Sequence, residues 1–172
     1  DVYYFSIYEN KVVYDIYDYN SSETYIYAAY LNDATTFSNP LEIGEGVYPH
    51  IWDDGVVYIA EDGSTFNVEY FNLWTRERDT LTSGDPHLHY EYAVIYEDYV
   101  AISINNDTAQ YSIGLIQVVD DEFGDTLYEI EEVVSVYLDD YSHGVISAEL
   151  FDDYKEHIIV YQILDISEDE VA

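Results

Sequence analysis

A pattern of about eight residues recurs along this chain at a nearly constant interval, and that interval limits the folds available to it. The segment Ile7–Tyr14 (IYENKVVY) recurs as Ile51–Tyr58 (IWDDGVVY) and Ile95–Ile102 (IYEDYVAI), with a looser copy over Val136–Ser147. The apolar pairs of the four copies begin at positions 12, 56, 100 and 145, so the steps are 44, 44 and 45 residues. A period of this size indicates one supersecondary unit repeated four times.

The apolar runs within each repeat are short and rich in Val, Ile, Tyr and Phe, which predicts β-strands rather than helices. Asp53-Asp54-Gly55 predicts a tight hairpin turn in which Gly55 supplies a positive φ, and Glu61–Ser64 predicts a second turn. The fourth repeat is irregular, because it has an insertion at Tyr141–His143 and a charged tail, Ser167–Glu170, in place of a last strand. The predicted strands are Val2–Tyr8, Lys11–Tyr17, Thr24–Leu31, Leu41–Ile43, Val47–Trp52, Gly55–Ala60, Phe66–Leu73, Arg78–Thr82, Glu91–Tyr96, Tyr99–Ile104, Gln110–Val118, Leu127–Ile130, Val133–Leu138, Gly144–Glu149 and His157–Leu164.

Several strands are apolar at successive positions, for example Val56–Ile59 and Ile158–Tyr161, and such strands have both faces covered. Four-stranded antiparallel sheets packed face to face, at about 40–45 residues each, are the blades of a β-propeller. We therefore predict an all-β fold, a small β-propeller of about four blades in one domain over residues 1–172. The predicted blades cover residues 1–46, 47–88, 89–132 and 133–172, and the last one is completed by a neighbouring subunit if it does not close on the first. The alternative is a β-sandwich of about 16 strands whose regular spacing is accidental.

The segment Pro49–Tyr58 (PHIWDDGVVY) resembles the TolB-type (WD-like) β-propeller repeat, and the resemblance extends over essentially the whole chain. Proteins with this repeat are common in periplasmic and cell-surface settings, including large archaeal surface proteins. The resemblance implies a blade and no catalytic residues. This chain differs from the family in two ways. Family members often have six or seven blades, whereas this chain has about four. The usual closure, in which one terminus supplies a strand to the blade at the other terminus, is also not evident.

The charge of the chain excludes two classes of partner. Its 37 acidic residues are opposed by only four basic ones, for a net charge of −33. Binding to the nucleic-acid backbone or to anionic lipid needs a basic face, so neither is expected. Because added salt screens repulsion among the acids, we expect stability to rise with salt or with millimolar Ca²⁺.

Three further features of the sequence bear on the cellular setting of the chain. It contains no cysteine, which rules out disulfides and thiolate metal sites. No run approaches the roughly 20 apolar residues of a membrane span. The sequence begins in mid-pattern without Met, so we expect a processed mature chain or a fragment.

Two N-glycosylation sequons begin at Asn20 and Asn106. Both follow the second strand of their repeats, where a loop is exposed to a glycosyltransferase. Glycosylation would place the chain in an export route, whereas chance occurrence is the alternative, because Asn, Ser and Thr are ordinary turn residues.

Three histidines are candidate ligands for a small molecule or a divalent metal. His50 and His87 each follow a proline, and His87 and His89 alternate, so on a strand they share one face. The competing interpretation is that they are polar residues near a blade entrance, because no third metal ligand has a diagnostic spacing.

Two acidic clusters suggest calcium, since hard carboxylate oxygens suit this ion. We expect the members of each cluster to share a loop, although neither has the pattern of an EF-hand, and a solvated acidic face is the alternative. The first cluster is Asp15, Asp18, Asn20 and Glu23, and the second is Asp120, Asp121, Glu122 and Asp125.

The chain has 22 tyrosines, most of which we expect to pack between blades. A minority in loops, such as Tyr19 and Tyr154, are candidates for a carbohydrate or partner surface. No nucleophile elbow, phosphate-binding glycine loop or zincin motif is present, so no catalytic residue is predicted.

Together these features predict a non-enzymatic extracellular protein with a structural or adhesive role at the cell surface. A surface-layer, sheath or filament subunit that assembles through blade edges fits them, because exposed edges template strand addition. The first alternative is a propeller that binds or hydrolyses polysaccharide at the mouth of its central channel, near His50, His87 and His89. The second alternative is a salt-adapted cytoplasmic scaffold.

Overall fold

The computed structural model describes residues 2–33, 36–62, 65–82, 87–97, 99–106, 110–117, 119–120, 126–127, 130–137, 142–153 and 156–167. Every regular element in these ranges is a β-strand, as the sequence predicts, and none is a helix with the length and apolar composition to cross a bilayer. The strands are β1 (Val2–Tyr8), β2 (Lys11–Asp18), β3 (Glu23–Asp33), β4 (Thr36–Phe37), β5 (Leu41–Glu45), β6 (Val47–Trp52), β7 (Gly55–Asp62), β8 (Thr65–Asn72), β9 (Arg78–Thr80), β10 (Leu88–Tyr96), β11 (Tyr99–Asn106), β12 (Gln110–Gln117), β13 (Val119–Asp120), β14 (Thr126–Leu127), β15 (Ile130–Tyr137), β16 (Ser142–Asp153) and β17 (Glu156–Ser167).

The strands form antiparallel sheets that follow the repeats. The first sheet has the order β1-β2-β3-β4, with β5 also paired to β3, and the second has the order β6-β7-β8-β9. The third sheet has the order β10-β11-β12-β15, and two hairpins, β13-β14 and β16-β17, follow among the described residues. Up-and-down sheets of four strands are the predicted blade unit, and the second and third sheets match it.

One predicted strand belongs to a different sheet from the one expected. The sequence placed Leu127–Ile130 last in the third repeat and Val133–Leu138 first in the fourth. In the structure β15 is the fourth strand of the third sheet, with Ile116 opposite Ile130 and Gln110 opposite Tyr137. An apolar run specifies a strand but not its neighbour, so the pairing could not be deduced from the pattern. The four blade boundaries stay predictions.

The chain divides into two compact units, Asp1–Gly84 and Asp85–Ala172. The first unit contains the first and second sheets, which pack face to face. The core between them consists of Val13, Ile26, Ala28 and Ile43 of the first sheet and Ile51, Val56, Tyr58, Phe71 and Leu73 of the second. Each fully buried aliphatic side chain contributes roughly 1.5–3 kcal/mol, so this sheet-on-sheet contact carries much of the stability of the unit.

The hairpin after the first strand has the same geometry in three repeats. Glu9, Asp53 and Glu97 all have a positive φ, of 51°, 49° and 51°, and they are spaced 44 residues apart. Each is the first residue of a two-residue loop, because Trp52 pairs with Gly55 and the corresponding residues pair in the other two hairpins. The predicted turn at Asp53–Gly55 is therefore confirmed, but the positive φ is at Asp53, and Gly55 instead begins β7. Asp and Asn adopt this conformation more readily than most residues, whereas Glu9 and Glu97 are held there by the hairpin.

The connection between the two sheets of the first unit depends on a glycine. Gly46 lies between β5 and β6, and its backbone N–H donates to the Thr24 carbonyl at 2.9 Å. A Cβ at this position would lie 2.5 Å from the Ile59 carbonyl oxygen and 2.6 Å from the Tyr58 ring. The close approach of the second sheet thus requires a residue without a side chain.

Candidate functional site

Asp15 ties the two sheets of the first unit together. It lies within β2 and is only 1% exposed. Its Oδ1 accepts hydrogen bonds from the backbone N–H groups of Tyr3 and Tyr4, at 3.1 and 2.7 Å, and its Oδ2 accepts one from Tyr48 N–H in the second sheet, at 3.3 Å. The expectation that Asp15 shares a loop with Asp18, Asn20 and Glu23 is therefore wrong. The polar run that suggests a loop begins inside β2, where the Asp15 carboxylate accepts hydrogen bonds from backbone N–H groups.

The rest of the first acidic cluster lies at the β2–β3 turn. Asp18 ends β2 and pairs with Glu23 at the start of β3. Asp18 Oδ1 accepts hydrogen bonds from the backbone N–H and the side-chain amide of Asn20, at 2.9 and 3.0 Å. Among the described residues, no group of three His, Asp or Glu side chains is arranged to hold a metal ion. Calcium at Asp18, Asn20 and Glu23 stays a prediction.

In the second acidic cluster, Asp120 is the last residue of β13, opposite Thr126. Asp121, Glu122 and Asp125 lie outside the described residues, so calcium binding there also stays a prediction. Tyr154, which the sequence singled out with Tyr19, lies outside them as well.

The two sequons occupy corresponding places. Asn20 is exposed in the turn between β2 and β3, and Asn106 is the last residue of β11, before the connection to β12. Asn20 therefore follows the second strand of its sheet, and Asn106 ends the second strand of its own sheet. Glycosylation of Asn20 and Asn106 stays a prediction.

The three histidines have different surroundings. His50 lies in β6, and burial lowers its pKa to about 4, so its imidazole is neutral at physiological pH. His89 lies in β10 opposite Asn105, whereas His87 is exposed in the turn before this strand. His87 and His89 therefore do not share a strand face, because β10 begins at Leu88. A ligand site at these residues stays a prediction.

One face of the first sheet is exposed along β1, where the same face of the second sheet is core. We call Phe5, Ile7, Val12 and Tyr14 the open face, and their equivalents 44 residues later, Pro49, Ile51, Val56 and Tyr58, the covered face. Ile51, Val56 and Tyr58 are 2%, 0% and 0% exposed, whereas Phe5 and Ile7 are each 61% exposed, and Val12 and Tyr14 are half-buried. The equivalent residues of the third repeat, Ala93, Ile95, Val100 and Ile102, are also buried.

The covered face packs against another sheet of the same chain. It packs against the opposite face of the first sheet, around Val13 and Ile26. Backbone polar groups contribute as well, since Ile51 N–H donates to Ser6 Oγ at 3.3 Å. The open face thus has the composition of a blade-packing face while its β1 residues are exposed, and Val2 beside it is 54% exposed. Exposed apolar patches of this kind mark interaction surfaces.

A cleft of about 520 Å³ lies beside the open face, at the end of the sheet where the β2–β3 turn projects. Four of its eight lining residues are tyrosines. The Tyr17 and Tyr19 rings meet edge to face with centroids 5.0 Å apart, and the Tyr27 ring stacks on Tyr14 at 5.9 Å. The lining residues are Ile16, Tyr17, Asp18, Tyr19, Asn20, Tyr25, Tyr27 and Glu42.

Two tyrosine hydroxyls of this cleft donate hydrogen bonds to carboxylates. Tyr25 donates to Glu23 Oε2 at 2.5 Å, and Tyr27 donates to Glu42 Oε2 at 3.2 Å. The hydrogen bond to Glu23 raises the pKa of Tyr25, and burial together with the charge of Glu42 raises the pKa of Tyr27. Both phenols therefore stay protonated at neutral pH, and the negative charge of the cleft comes from its carboxylates.

The sequence pointed to only part of these surfaces. The sequence distinguishes Tyr19 as a loop residue, but it does not distinguish Tyr17, Tyr25 and Tyr27 from the tyrosines expected to pack between blades. A recognisable signal was present in β3, since Tyr25 and Tyr27 alternate there and alternate residues share a face. No such signal marked the open face, because Phe5 and Ile7 match the pattern of buried residues in the later repeats.

Comparisons with known proteins identify the class of fold. No family model matches the chain, and no curated protein matches its sequence. The β-propeller domain of the Trilobed protease from Pyrococcus furiosus, which has an open velcro topology, is 9% identical with a TM-score of 0.54, over 97% of this chain and 54% of that one. An acylaminoacyl peptidase in complex with Z-Gly-Gly-Phe-chloromethyl ketone is 12% identical with a TM-score of 0.56, over 97% of this chain and 32% of that one. Pyrococcus horikoshii acylaminoacyl peptidase is 11% identical with a TM-score of 0.55, over 96% and 32%.

At this level of identity the likeness shows the fold alone. The chain is an all-β propeller, as the repeat predicted, and about four blades stays the predicted number. It spans about half the length of the first of these structures and about a third of the other two.

Proposed function

We propose that this chain is a non-enzymatic extracellular β-propeller of the TolB-type repeat class, with a structural or adhesive role at the cell surface, and that it assembles with copies of itself through its open face. The observation that carries the proposal is the exposure of Phe5 and Ile7 at positions that are core in the next repeat. A subunit of a surface layer, sheath or filament is the role that fits such assembly.

The occupant of the open face that we propose is a sheet of a second copy. The covered face provides the template, since it is buried by the opposite face of a neighbouring sheet of this same chain. A contact between an open face on one copy and a different face on another is heterologous, and heterologous contacts generate rings or open filaments rather than closed dimers.

Three further features support the extracellular setting. The chain has no cysteine to be oxidised and a net charge of −33 that keeps it soluble. The exposed sequon at Asn20 lies on a turn, where a glycan would have room.

The experiment is to measure molar mass by light scattering after size exclusion, over a range of protein concentrations, in high salt that screens self-repulsion. We expect the mass of the wild type to rise with concentration. Ile7→Glu places a charge in the open face and abolishes this rise. The matched control is Trp74→Glu, which adds the same charge at an 83% exposed aromatic outside the open face, and it leaves assembly intact. A wild type that is monomeric at every concentration and salt level would refute the proposal, as would equal effects of the two variants.

A further inference from the structure

The tyrosine cleft beside the β2–β3 turn has the composition of a site for an organic cation. Tyr17, Tyr19, Tyr25 and Tyr27 are among its lining residues, and Tyr25 and Tyr27 share one face of β3. The face of an aromatic ring carries negative electrostatic potential and attracts ammonium and guanidinium groups that lie within about 6 Å of its centroid. Aromatic residues therefore make up half of the lining of this cleft.

The charge of the cleft points the same way. Asp18 and Glu42 line the cleft, and no lining residue is basic. Glu23 is a third carboxylate nearby, because it accepts a hydrogen bond from the hydroxyl of the lining residue Tyr25. Clefts lined by charge of one sign concentrate ions of the opposite sign. One oxygen of each of Asp18, Glu23 and Glu42 accepts a hydrogen bond, from Asn20, Tyr25 and Tyr27 respectively, and the three carboxylates make the cleft and its rim negative.

The chain itself binds an ammonium group in this way at another place. Lys11 Nζ lies 2.8 Å from Asp54 Oδ1 and 3.2 Å from Asp53 Oδ1, and it also lies 5.7 Å from the centre of the Tyr8 ring. Burial lowers the pKa of Lys11, but the hydrogen bonds and charges of the two aspartates raise it by more, so that the net shift is upward. Carboxylates and a tyrosine ring together therefore hold a charged alkylammonium on this protein.

We propose that the tyrosine cleft binds an alkylammonium group, with the rings of Tyr19 and Tyr27 facing its methyl or methylene groups and the carboxylates of Asp18 and Glu42 balancing its charge. The group is supplied either by a small quaternary ammonium compound or by the lysine side chain of a protein partner. A neutral saccharide stacks on aromatic rings without needing this acidic surround, so the absence of any basic lining residue favours the cation. The proposal stands on the cleft and does not depend on assembly through the open face.

The experiment is a calorimetric titration at constant ionic strength with four probes. Choline represents the small compound and Nα-acetyl-lysine amide the side chain, and whichever binds more tightly identifies the source. Dimethylbutanol, the uncharged isostere of choline, tests the charge, and maltose tests a saccharide. We expect at least one cation to bind, and dimethylbutanol to bind at least about 10-fold more weakly than choline. Binding of maltose without either cation, or equal binding of choline and its isostere, would overturn the proposal.

Variants assign the binding to the cleft. Tyr19→Ala and Glu42→Gln, both at surface positions, are each expected to weaken the cation by about 3- to 10-fold. The matched controls are Trp74→Ala and Glu77→Gln, which remove an exposed ring and an exposed carboxylate elsewhere, and they leave the affinity unchanged. If the controls weaken binding as much as the cleft variants, the cation is held by the overall charge of the chain, and the proposed site is wrong.

Discussion

The open face of the first sheet and the covered face of the second have the same sequence pattern and different surroundings. Ile7 and Ile51 occupy the same place in strands of the same register, one 44 residues after the other, yet one is 61% exposed and the other 2%. The difference teaches that alternation in a strand determines which residues share a face but not whether another sheet covers it. The surface that looks most like core is thereby the strongest candidate for an interface.

The largest expected effect compares these two isoleucines directly. Ile51→Ala leaves a cavity in the core between the sheets, so we expect it to lower the free energy of unfolding by about 3–4 kcal/mol. Ile7→Ala removes an exposed side chain and is expected to change it by about 0.5 kcal/mol or less. Urea denaturation of both variants at a concentration where the protein is monomeric measures the difference. Similar losses in the two variants would mean that the open face is already covered.

Asp15 provides the next test, because the equivalent positions of the second and third repeats hold Ile59 and Ser103 rather than a carboxylate. Asp15→Asn keeps one oxygen but turns an amide NH₂ toward backbone N–H donors in a buried place. We expect a loss of about 2 kcal/mol in the free energy of unfolding. The control is Glu61→Gln, which neutralises an exposed carboxylate in the same unit. An unchanged stability of Asp15→Asn would show that the three hydrogen bonds to Asp15 contribute little to holding the sheets together.

His50 tests the other face of β6, since it alternates with Ile51. Its pKa of about 4 in the folded state lies below the usual 6.5, so between these values the unfolded state binds a proton that the folded state does not. Stability is therefore expected to fall as the pH drops from about 6.5 to about 4, by about 2 kcal/mol relative to His50→Gln. Denaturation curves across this pH range measure the difference between the two proteins. The exposed His87→Gln serves as the control and should follow the wild type. A wild type and His50→Gln with parallel pH profiles would contradict the burial of His50.

The smallest expected change in stability comes from the hydroxyls of Tyr58 on the covered face and Tyr14 on the open face. The Tyr58 hydroxyl is buried with no hydrogen-bond partner among the described residues, and burial raises its pKa to about 12. Removing an unpaired buried hydroxyl relieves a desolvation cost, so Tyr58→Phe should stabilise the protein by about 0.5–1 kcal/mol. Tyr14→Phe, at the equivalent place on the open face, should change stability by only a few tenths of a kcal/mol, as is usual for surface positions. Thermal unfolding of both variants gives the sign, and a destabilised Tyr58→Phe would reveal a partner for the hydroxyl.

Most strands of the first two repeats could be read from the sequence because local signals determine them. The turn predicted at Glu61–Ser64 starts too early, since Glu61 and Asp62 lie in β7. Val2–Tyr8 and Val47–Trp52 agree with the structure at both ends, and the hairpin at Asp53 was correctly placed. The assignment of Ile130–Tyr137 to the third sheet was missed, because strand pairing depends on contacts far apart in the chain. The candidate site was predicted less well for the same reason. Tyr27 and Glu42 are 15 residues apart and meet only because β3 pairs with β5.

The sequence by itself determined the repeat, the strand period and the acidic charge, since each is a property of consecutive residues. It also determined that no thiol or basic face is present. Only the tertiary structure decided that Asp15 is a buried bridge between sheets, that four tyrosines are among the residues lining one cleft, and that Phe5 and Ile7 are exposed. The physical reason is that burial and hydrogen bonding depend on which surfaces meet, and sheets meet through residues that lie far apart along the chain.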